Sequence, residues 1–387
     1  MHAKQKMFYT VLKLSLLLVA AASFLEVSSR IILKNSVTGF VLGTKIELPS
    51  NIDLYFKNPV SGSKLDETIH LQRNSMGFRG VEPPFSLDEY LSIITVGGST
   101  TECILLSEGD TWTDGLQNRL SGVFNQLWVN NAGLEGHSTF GHLLFLDNYL
   151  LSIKPDIFIF LVGINDVGRQ NPVWMDDISY WSKAIEKAEF VKNKIADRSV
   201  FLSYIANLKR HKKAIDAGLF MDEEVNFANL KYNTLSPEEM SGLLSSHETY
   251  LPGYKERLLK IVDKSLEAGV EPIFVTQPAV YGYGIDPTTG VDLSKIVLPN
   301  INGIEGGPNG LVRWSILELY NDVTREVATE KGVFLVDLAN KMPKDTKFYY
   351  DYVHFTKLGA NEVARILYED LCPHIRTKFG NNLVKSC

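Results

Sequence analysis

From about residue 90 onward, two patterns of apolar and polar positions alternate along the chain, one typical of strands and one typical of helices. Short apolar runs of strand length recur, and segments with a period near 3.6 separate them. The predicted strands are 92–96, 127–130, 157–162, 271–278 and 333–337. The predicted helices are 110–121, 138–152, 251–268, 312–330 and one that begins near 355 and ends near 371. Such alternation predicts a doubly wound parallel α/β sheet with helices on both faces.

Other stretches depart from this alternation. Residues 34–73 are irregular and predict a spacer with a strand or two, followed by a main domain at 74–387. A polar, helix-rich insertion at about 170–250 follows a strand, so we expect it at the edge where ligands bind, as a lid or as packing. The Gly-, Pro- and Asn-rich stretch from 281 to about 310 has the composition of a mobile loop over a site.

The N-terminal segment, 1–33, indicates where the domain works. Lys4 and Lys6 precede an apolar run from Met7 to Val27, whose 21 residues suffice for a hydrocarbon core of about 30 Å. An uncleaved membrane anchor is the favoured interpretation. The alternative is a signal peptide cleaved after Ala22, which would give a secreted protein. In both cases the basic flank stays in the cytoplasm and the domain is extracytoplasmic, either periplasmic or extracellular.

Composition and charge exclude some classes. Among 387 residues, 45% are hydrophobic and 22% are charged, as in ordinary globular proteins. The formal charge of -6 argues against a nucleic-acid partner, and the short basic run 209–213 is better explained as a solvated helix face. Cys372 and Cys387 either form a disulfide that leaves Cys103 free or remain thiols with it. No Cys or His ligand spacing stands out, so we expect neither a metal site nor a cofactor.

Two distant motifs complete each other chemically. The strand at 92–96 ends at Gly97-Gly98, which presents Ser99 at the sheet edge. Asp351 and His354 lie in an Asp-x-x-His segment near the end of the chain. A serine becomes a nucleophile when an imidazole takes its proton, and a carboxylate fixes that imidazole's tautomer. The sequence therefore predicts a Ser99–His354–Asp351 triad.

Two further strand ends supply hydrogen-bond donors. Gly133 follows the strand at 127–130, and Asn165 follows the apolar run at 157–162. Acyl transfer needs donors aimed at the developing oxyanion. The Ser99 and Gly133 N–H groups and the Asn165 amide would form such an oxyanion hole. We expect Asp166 to order the loop after Asn165, since the triad already has its carboxylate.

In these motifs the chain resembles the SGNH hydrolases, the GDSL-like esterase superfamily. The family's blocks correspond to Gly97-Gly98-Ser99-Thr100, the loop at Gly133, Gly163-Ile164-Asn165-Asp166 and Asp351-Tyr352-Val353-His354, and the resemblance runs from about 74 to 370. The first block usually carries Asp before the serine, where Gly98 stands here. Such Gly-Gly-Ser-Thr versions look like a subgroup often found as membrane-attached bacterial proteins.

The resemblance implies a cofactor-independent carboxylic ester hydrolase. Together with export, it implies O-acyl groups, acetyl among them, on an envelope or exported carbohydrate as substrate. Two alternatives stay open at this point. The same triad would serve an O-acyltransferase of polysaccharide assembly if the site excluded water, and an inactive SGNH-like domain would act as a binding module. Arg79, in the loop that opens the domain, either ties that loop down or touches substrate.

Overall fold

The computed structural model describes most of the chain. The described residues are 2–34, 40–42, 45–60, 62, 64–173, 176, 199–216, 224–298, 308–379 and 386–387. Much of the predicted insertion, namely 174–175, 177–198 and 217–223, lies outside the described residues. So does part of the predicted Gly-rich loop, at 299–307.

A five-stranded parallel sheet forms the centre of the molecule. The strands in the described residues are β1 (Phe40–Leu42), β2 (Lys45–Glu47), β3 (Ile52–Lys57), β4 (Thr68–Arg73), β5 (Leu91–Gly97), β6 (Leu127–Asn131), β7 (Ile157–Val162), β8 (Glu271–Thr276) and β9 (Phe334–Val336). The strand order in the central sheet is β6-β5-β7-β8-β9. Every residue of β5, β6 and β7 is buried, which explains their nearly continuous apolar runs. The predicted α/β class is confirmed.

The described residues also form helices, several of which flank the sheet. The helices are α1 (His2–Lys34), α2 (Ser99–Glu102), α3 (Trp112–Leu120), α4 (Thr139–Phe145), α5 (Leu151–Ile153), α6 (Val200–Asp216), α7 (Pro237–Glu248), α8 (Leu251–Glu267), α9 (Gly310–Lys331), α10 (Leu338–Lys341) and α11 (Lys357–Phe379). A π-helical turn, Leu146–Leu150, joins α4 to α5. Two groups of helices pack on the sheet, α3 with α11 and α8 with both α4 and α9. Buried side chains of both groups belong to one hydrophobic core.

The spacer contains more strands than the sequence indicated. β1 pairs with β2 and β3 pairs with β4, both antiparallel. In β3, partly buried side chains alternate with exposed ones, as in a strand with one face toward solvent. Ile46 belongs to the core, and Leu48 lies so close to Gly77 that a Cβ there would be 2.4 Å from the Leu48 Cβ. The spacer therefore packs directly on the domain.

The N-terminal helix is joined to the domain at its far end. Within α1, Gln5–Ile32 is long and apolar enough for a membrane anchor or a signal sequence, and its apolar face is not covered by the protein. Glu26 accepts hydrogen bonds from the Val200 N–H at 2.9 Å and from the Phe201 N–H and Ser199 hydroxyl at 3.1 Å each. The Glu26 carboxylate thus caps the N-terminus of α6.

The cysteine pairing that the sequence left open is resolved in the structure. Cys372 and Cys387 form a disulfide with a Cα–Cα distance of 5.8 Å. Cys103 is a buried free thiol, and burial raises its pKa to about 12. Since the thiolate is the reactive form, Cys103 is inert at neutral pH.

Candidate active site

Ser99 lies just after the carboxyl end of β5. β5 runs between β6 and β7 and ends at Gly97, and Gly98 is the extended residue that caps α2 (φ −87°, ψ −151°). Ser99 is the first residue of α2, so its N–H has no acceptor within the helix. The fold therefore presents both the hydroxyl and a backbone donor of Ser99 at the edge where open α/β sheets bind ligands.

The structure brings the three predicted triad residues together. His354 Nε2 lies 2.7 Å from Ser99 Oγ, and His354 Nδ1 lies 2.6 Å from Asp351 Oδ2. The other carboxylate oxygen of Asp351 accepts the N–H groups of Val353 and His354, both at 2.8 Å. These two bonds fix the carboxylate within its own loop, and the ion pair fixes the imidazole.

The electrostatics of the triad favour the charged pair. Burial opposes the ionisation of Asp351, but His354 and the backbone donors hold the pKa of Asp351 below its usual range. Burial likewise opposes the protonation of His354, but Asp351, with a smaller effect of Glu135, raises the pKa of His354 above its usual value. The Tyr350 ring stacks on the imidazole with centroids 5.6 Å apart. His354 is therefore a stronger base than an ordinary histidine, and it is held in one orientation.

The Asn165 amide fits next to Gly98, the residue before Ser99, because Gly98 has no side chain. Asn165 is in the 3-10 turn Ile164–Asp166 after β7, and its Nδ2 donates to His137 O at 3.0 Å. A Cβ at Gly98 would lie 2.4 Å from Asn165 Nδ2 and 3.1 Å from His137 O. The Gly98 position, where the first block usually carries Asp, is thus sterically tied to the placement of the Asn165 amide.

Gly133 packs against the helix that carries Ser99. A Cβ at Gly133 would lie 2.3 Å from Glu102 N, so only glycine allows this approach. The Gly133 N–H donates to Asn131 Oδ1 at 2.9 Å. Its predicted use as an oxyanion donor therefore requires that the N–H be shared with Asn131 or released from it.

A buried arginine holds the other end of α2. Arg79 donates to Glu102 O, Cys103 O and Leu106 O at 2.8, 2.6 and 2.7 Å, and its Nε donates to Glu108 at 2.7 Å. These four bonds engage all three guanidinium nitrogens with the protein itself. Of the two roles left open for Arg79, the structure gives it the structural one.

Glu102 is a buried charge that the sequence did not reveal. Its carboxylate accepts from Arg73 Nη2 at 2.5 Å and from the Glu135 N–H at 2.6 Å. Both charged side chains are fully buried. The pair ties β4 of the spacer to the helix of the nucleophile, a contact between residues 29 positions apart that no local pattern predicts.

The loop after Asn165 is fixed by a second buried network. Asp166 accepts from the Thr139 hydroxyl at 2.5 Å and from Arg257 Nη2 at 3.2 Å. Arg257 also donates to the Thr139 hydroxyl at 2.7 Å. Asp166 thereby joins the turn that carries Asn165 to the start of α4 and to α8.

The described end of the insertion reaches the catalytic loop. The Val225 N–H donates to Tyr350 O at 3.0 Å, and the Phe227 ring contacts the Tyr352 ring edge to face at 5.8 Å. Lys64 of the spacer donates to Thr346 O and Tyr349 O at 3.1 Å each. Segments outside the α/β alternation therefore brace the loop that carries Asp351 and His354.

Glu135 is the site residue that sequence reasoning missed. It is partly exposed and lies two residues after Gly133. Burial and the nearby Glu102 raise the pKa of Glu135 to about 7, while attraction to His354 acts in the opposite direction. The signal that was available is an acidic residue between two glycines in a loop already assigned to the site.

Metal binding finds no support in the described part of the chain, where no group of three or more His, Cys, Asp or Glu side chains is placed to hold an ion. The triad residues carry the chemistry that this arrangement offers, which is nucleophilic attack by a hydroxyl with proton transfer through an imidazole.

No protein-family model matches the chain, and no curated protein matches its sequence. Solved structures with a similar fold include LAE5, an alpha/beta hydrolase enzyme from the metagenome of Lake Arreo, Spain. LAE5 matches at 16% identity and a TM-score of 0.39, and the match covers 73% of this chain and 95% of LAE5. The acetyl xylan esterase AlAXEase matches at 15% identity and a TM-score of 0.39, with 72% and 98% covered. Axe2, an acetylxylan esterase from Geobacillus stearothermophilus, matches at 15% identity and a TM-score of 0.39, with 72% and 93% covered.

Proposed function

We propose that this protein is a membrane-anchored serine esterase of the SGNH type that removes O-acyl groups, acetyl foremost, from an envelope or exported carbohydrate. The observation that carries the proposal is the unbroken chain of hydrogen bonds from Ser99 Oγ through His354 to Asp351, at 2.7 and 2.6 Å. A hydroxyl at that distance from an imidazole whose other nitrogen faces a buried carboxylate is poised for attack on an acyl carbonyl.

Acylation begins when Ser99 Oγ attacks the ester carbonyl and His354 Nε2 takes the hydroxyl proton. Asp351 stabilises the imidazolium that forms, as the raised pKa of His354 indicates. His354 then returns the proton to the alcohol oxygen as the bond between carbonyl carbon and alcohol breaks. The alcohol leaves and the acyl group stays on Ser99 as an ester.

Deacylation repeats these steps with water. His354 takes a proton from a water molecule as the water oxygen attacks the acyl carbon. The bond between the acyl carbon and Ser99 Oγ then breaks, His354 gives the proton to Ser99 Oγ, and the carboxylic acid leaves. In both halves the carbonyl oxygen carries negative charge in the tetrahedral intermediate. The Ser99 N–H and the Asn165 amide, which keeps one N–H beyond its bond to His137 O, are proposed to stabilise that charge together with the Gly133 N–H.

Two features support an extracytoplasmic membrane location. The segment Gln5–Ile32 is long and apolar enough to span, and Lys4 and Lys6 at its start favour a cytoplasmic N-terminus. The Cys372–Cys387 disulfide is typical of an oxidising compartment. We therefore propose that the membrane holds the protein and that the esterase domain faces outward, where acylated carbohydrate is its substrate.

Active-site labelling tests the proposed reaction. The detergent-solubilised full-length protein should react with a fluorophosphonate probe and hydrolyse 4-nitrophenyl acetate. Ser99→Ala should lose both properties because no other nucleophile is proposed. Ser152→Ala, which changes an exposed serine in α5, is the control and should keep both properties. More than a few per cent of wild-type hydrolysis by a folded Ser99→Ala protein would exclude Ser99 as the nucleophile.

A further inference from the structure

The catalytic centre contains a second carboxylate that the ester mechanism does not use. Glu135 lies in the loop Gly133-Leu134-Glu135-Gly136, two residues after Gly133, a proposed oxyanion donor. Its N–H donates to Glu102 Oε2 at 2.6 Å, and Glu102 is itself held by Arg73 at 2.5 Å. The backbone of Glu135 is therefore fixed to the same helix that carries Ser99.

The charge of the Glu135 carboxylate acts on the catalytic loop. It interacts electrostatically with His354 and with Tyr350, whose ring stacks on the imidazole. Both nitrogens of that imidazole already have partners, since Nδ1 binds Asp351 and Nε2 binds Ser99. Glu135 is therefore not needed to orient the histidine.

Glu135 lacks the donors that its neighbours have. In the described part of the chain, Asp351 and Glu102 each accept bonds from protein donors, whereas the Glu135 side chain accepts none. A carboxylate that has lost part of its water and has no protein donor gains most from a donor on a ligand. Above its raised pKa of about 7 the Glu135 carboxylate is ionised and only accepts hydrogen bonds, and hydroxyl groups are neutral donors that fit it.

We propose that Glu135 binds the alcohol part of the substrate by accepting a hydrogen bond from a hydroxyl group close to the ester, and so selects carbohydrate esters over esters of simple alcohols. This inference rests on the proposed esterase function and specifies its substrate class. The leaving alcohol passes His354 Nε2, the group that returns its proton. Glu135 lies on a loop that is bonded to the helix of Ser99, and its carboxylate acts electrostatically on that imidazole, so we expect it to reach a neighbouring hydroxyl of a bound sugar.

The test compares two substrates on the full-length protein in detergent. One is a mono-O-acetyl methyl glucoside, which carries free hydroxyls beside the ester, and the other is 4-nitrophenyl acetate, which has none. For Glu135→Leu we expect kcat/KM to fall roughly 10- to 100-fold with the sugar ester and less than about threefold with the aryl ester, as for loss of one charge-assisted hydrogen bond. Glu135→Gln keeps an acceptor oxygen and a similar shape, so its loss should be smaller.

Each variant is measured on the plateau of its own pH profile, so that an altered pKa of His354 does not enter the ratio. Glu256→Leu, at an exposed glutamate of α8, is the matched control and should leave both substrates unchanged. Equal losses on both substrates, in Glu135→Gln as well as in Glu135→Leu, would overturn the inference, because Glu135 would then act through His354. Unchanged hydrolysis of the sugar ester would overturn it too.

The outcome is distinguishable from failure of the esterase proposal. A wild-type protein that reacts with the fluorophosphonate and cleaves the aryl ester, but not the sugar ester, overturns the role of Glu135 and the carbohydrate substrate but leaves the serine esterase assignment intact. A wild-type protein that does none of these overturns both. A sugar-ester preference that disappears in Glu135→Leu supports both.

Discussion

Gly98, the residue before Ser99, leaves room for the Asn165 amide because it has no side chain. Its backbone conformation, φ −87°, is open to any residue, so glycine is not required there for backbone reasons. What requires it is space, since a Cβ would lie 2.4 Å from Asn165 Nδ2. The proposed oxyanion donor and the missing methyl group therefore form one functional unit.

We predict that Gly98→Ala and Asn165→Ala act on the same step. Loss of the Asn165 amide should lower kcat by roughly 10² to 10³, with a smaller change in KM. Gly98→Ala should lower kcat by a similar factor because its methyl group displaces that amide. The double variant should be little worse than either single one, since both remove one interaction.

Steady-state kinetics with 4-nitrophenyl acetate measure these factors. Gly242→Ala, in α7 where nothing lies within 4 Å of the added Cβ, is the matched control and should leave kcat unchanged. A raised KM at constant kcat for Asn165→Ala would mean that Asn165 binds substrate and that the oxyanion is stabilised elsewhere.

The pH dependence of hydrolysis should report His354. The imidazole acts as a base only when neutral, and its ion pair with Asp351 raises its pKa above the ordinary value of 6.5. Activity should therefore rise with pH, and the midpoint of the acid limb of kcat/KM should lie above 6.5. A profile of kcat/KM for an ester whose own hydrolysis is slow gives this midpoint. A midpoint below 6.5 would contradict the raised pKa.

At the scale of elements, α2 depends on contacts outside itself. A helix of four residues is too short to be stable alone, and Ser99–Glu102 ends at Cys103 in the left-handed conformation (φ 51°). Arg79 satisfies the carbonyl groups at that end. The position of the nucleophile is thus set by a side chain from the loop before β5.

We predict that Arg79→Met lowers the free energy of unfolding by about 3 kcal/mol, because unsatisfied buried acceptors cost about 1–3 kcal/mol each and relax in part. Activity should fall as well, since α2 loses its support. Urea unfolding followed by circular dichroism measures the change. Arg365→Met, whose ion pairs on α11 are largely exposed, is the control and should change stability by less than about 1 kcal/mol. Equal effects of the two substitutions would contradict the assigned role of Arg79.

The elements that the sequence predicted well are those with strong local patterns. The strand predicted at 157–162 coincides with β7, and that at 92–96 lies within β5, because both are buried on two faces and read as continuous apolar runs. The spacer hairpins were underestimated because antiparallel pairing joins short, half-polar segments. The π-helical turn after α4 has no periodicity of its own, so it was absorbed into one predicted helix.

The same division holds for the candidate site. Ser99, Asp351 and His354 could be predicted because each stands in a short motif with a chemical reason for its residues. Glu102 could not, because its partner Arg73 lies on another element and no local signal links the two. The Cys372–Cys387 pair was left open for the same reason.

At the scale of the whole molecule, we predict that the full-length protein stays in the membrane pellet through a carbonate wash, because the apolar face of Gln5–Ile32 is not covered by the domain. Protease added to the outer face of spheroplasts should digest the domain. A mature protein that begins at Ser23 would contradict the anchor and leave export intact. Full protection from external protease would contradict export itself.

If α1 anchors the proposed esterase, the bonds between Glu26 and the first turn of α6 have a consequence for how it meets its substrate. A flexible tether would let the domain sample many heights and orientations above the lipid. A fixed contact between the two helices would instead restrict Ser99 to a narrow range of heights and tilts. Encounter would then become a search in two dimensions, within a thin layer parallel to the bilayer, and the acyl groups cleaved would be those that enter this layer.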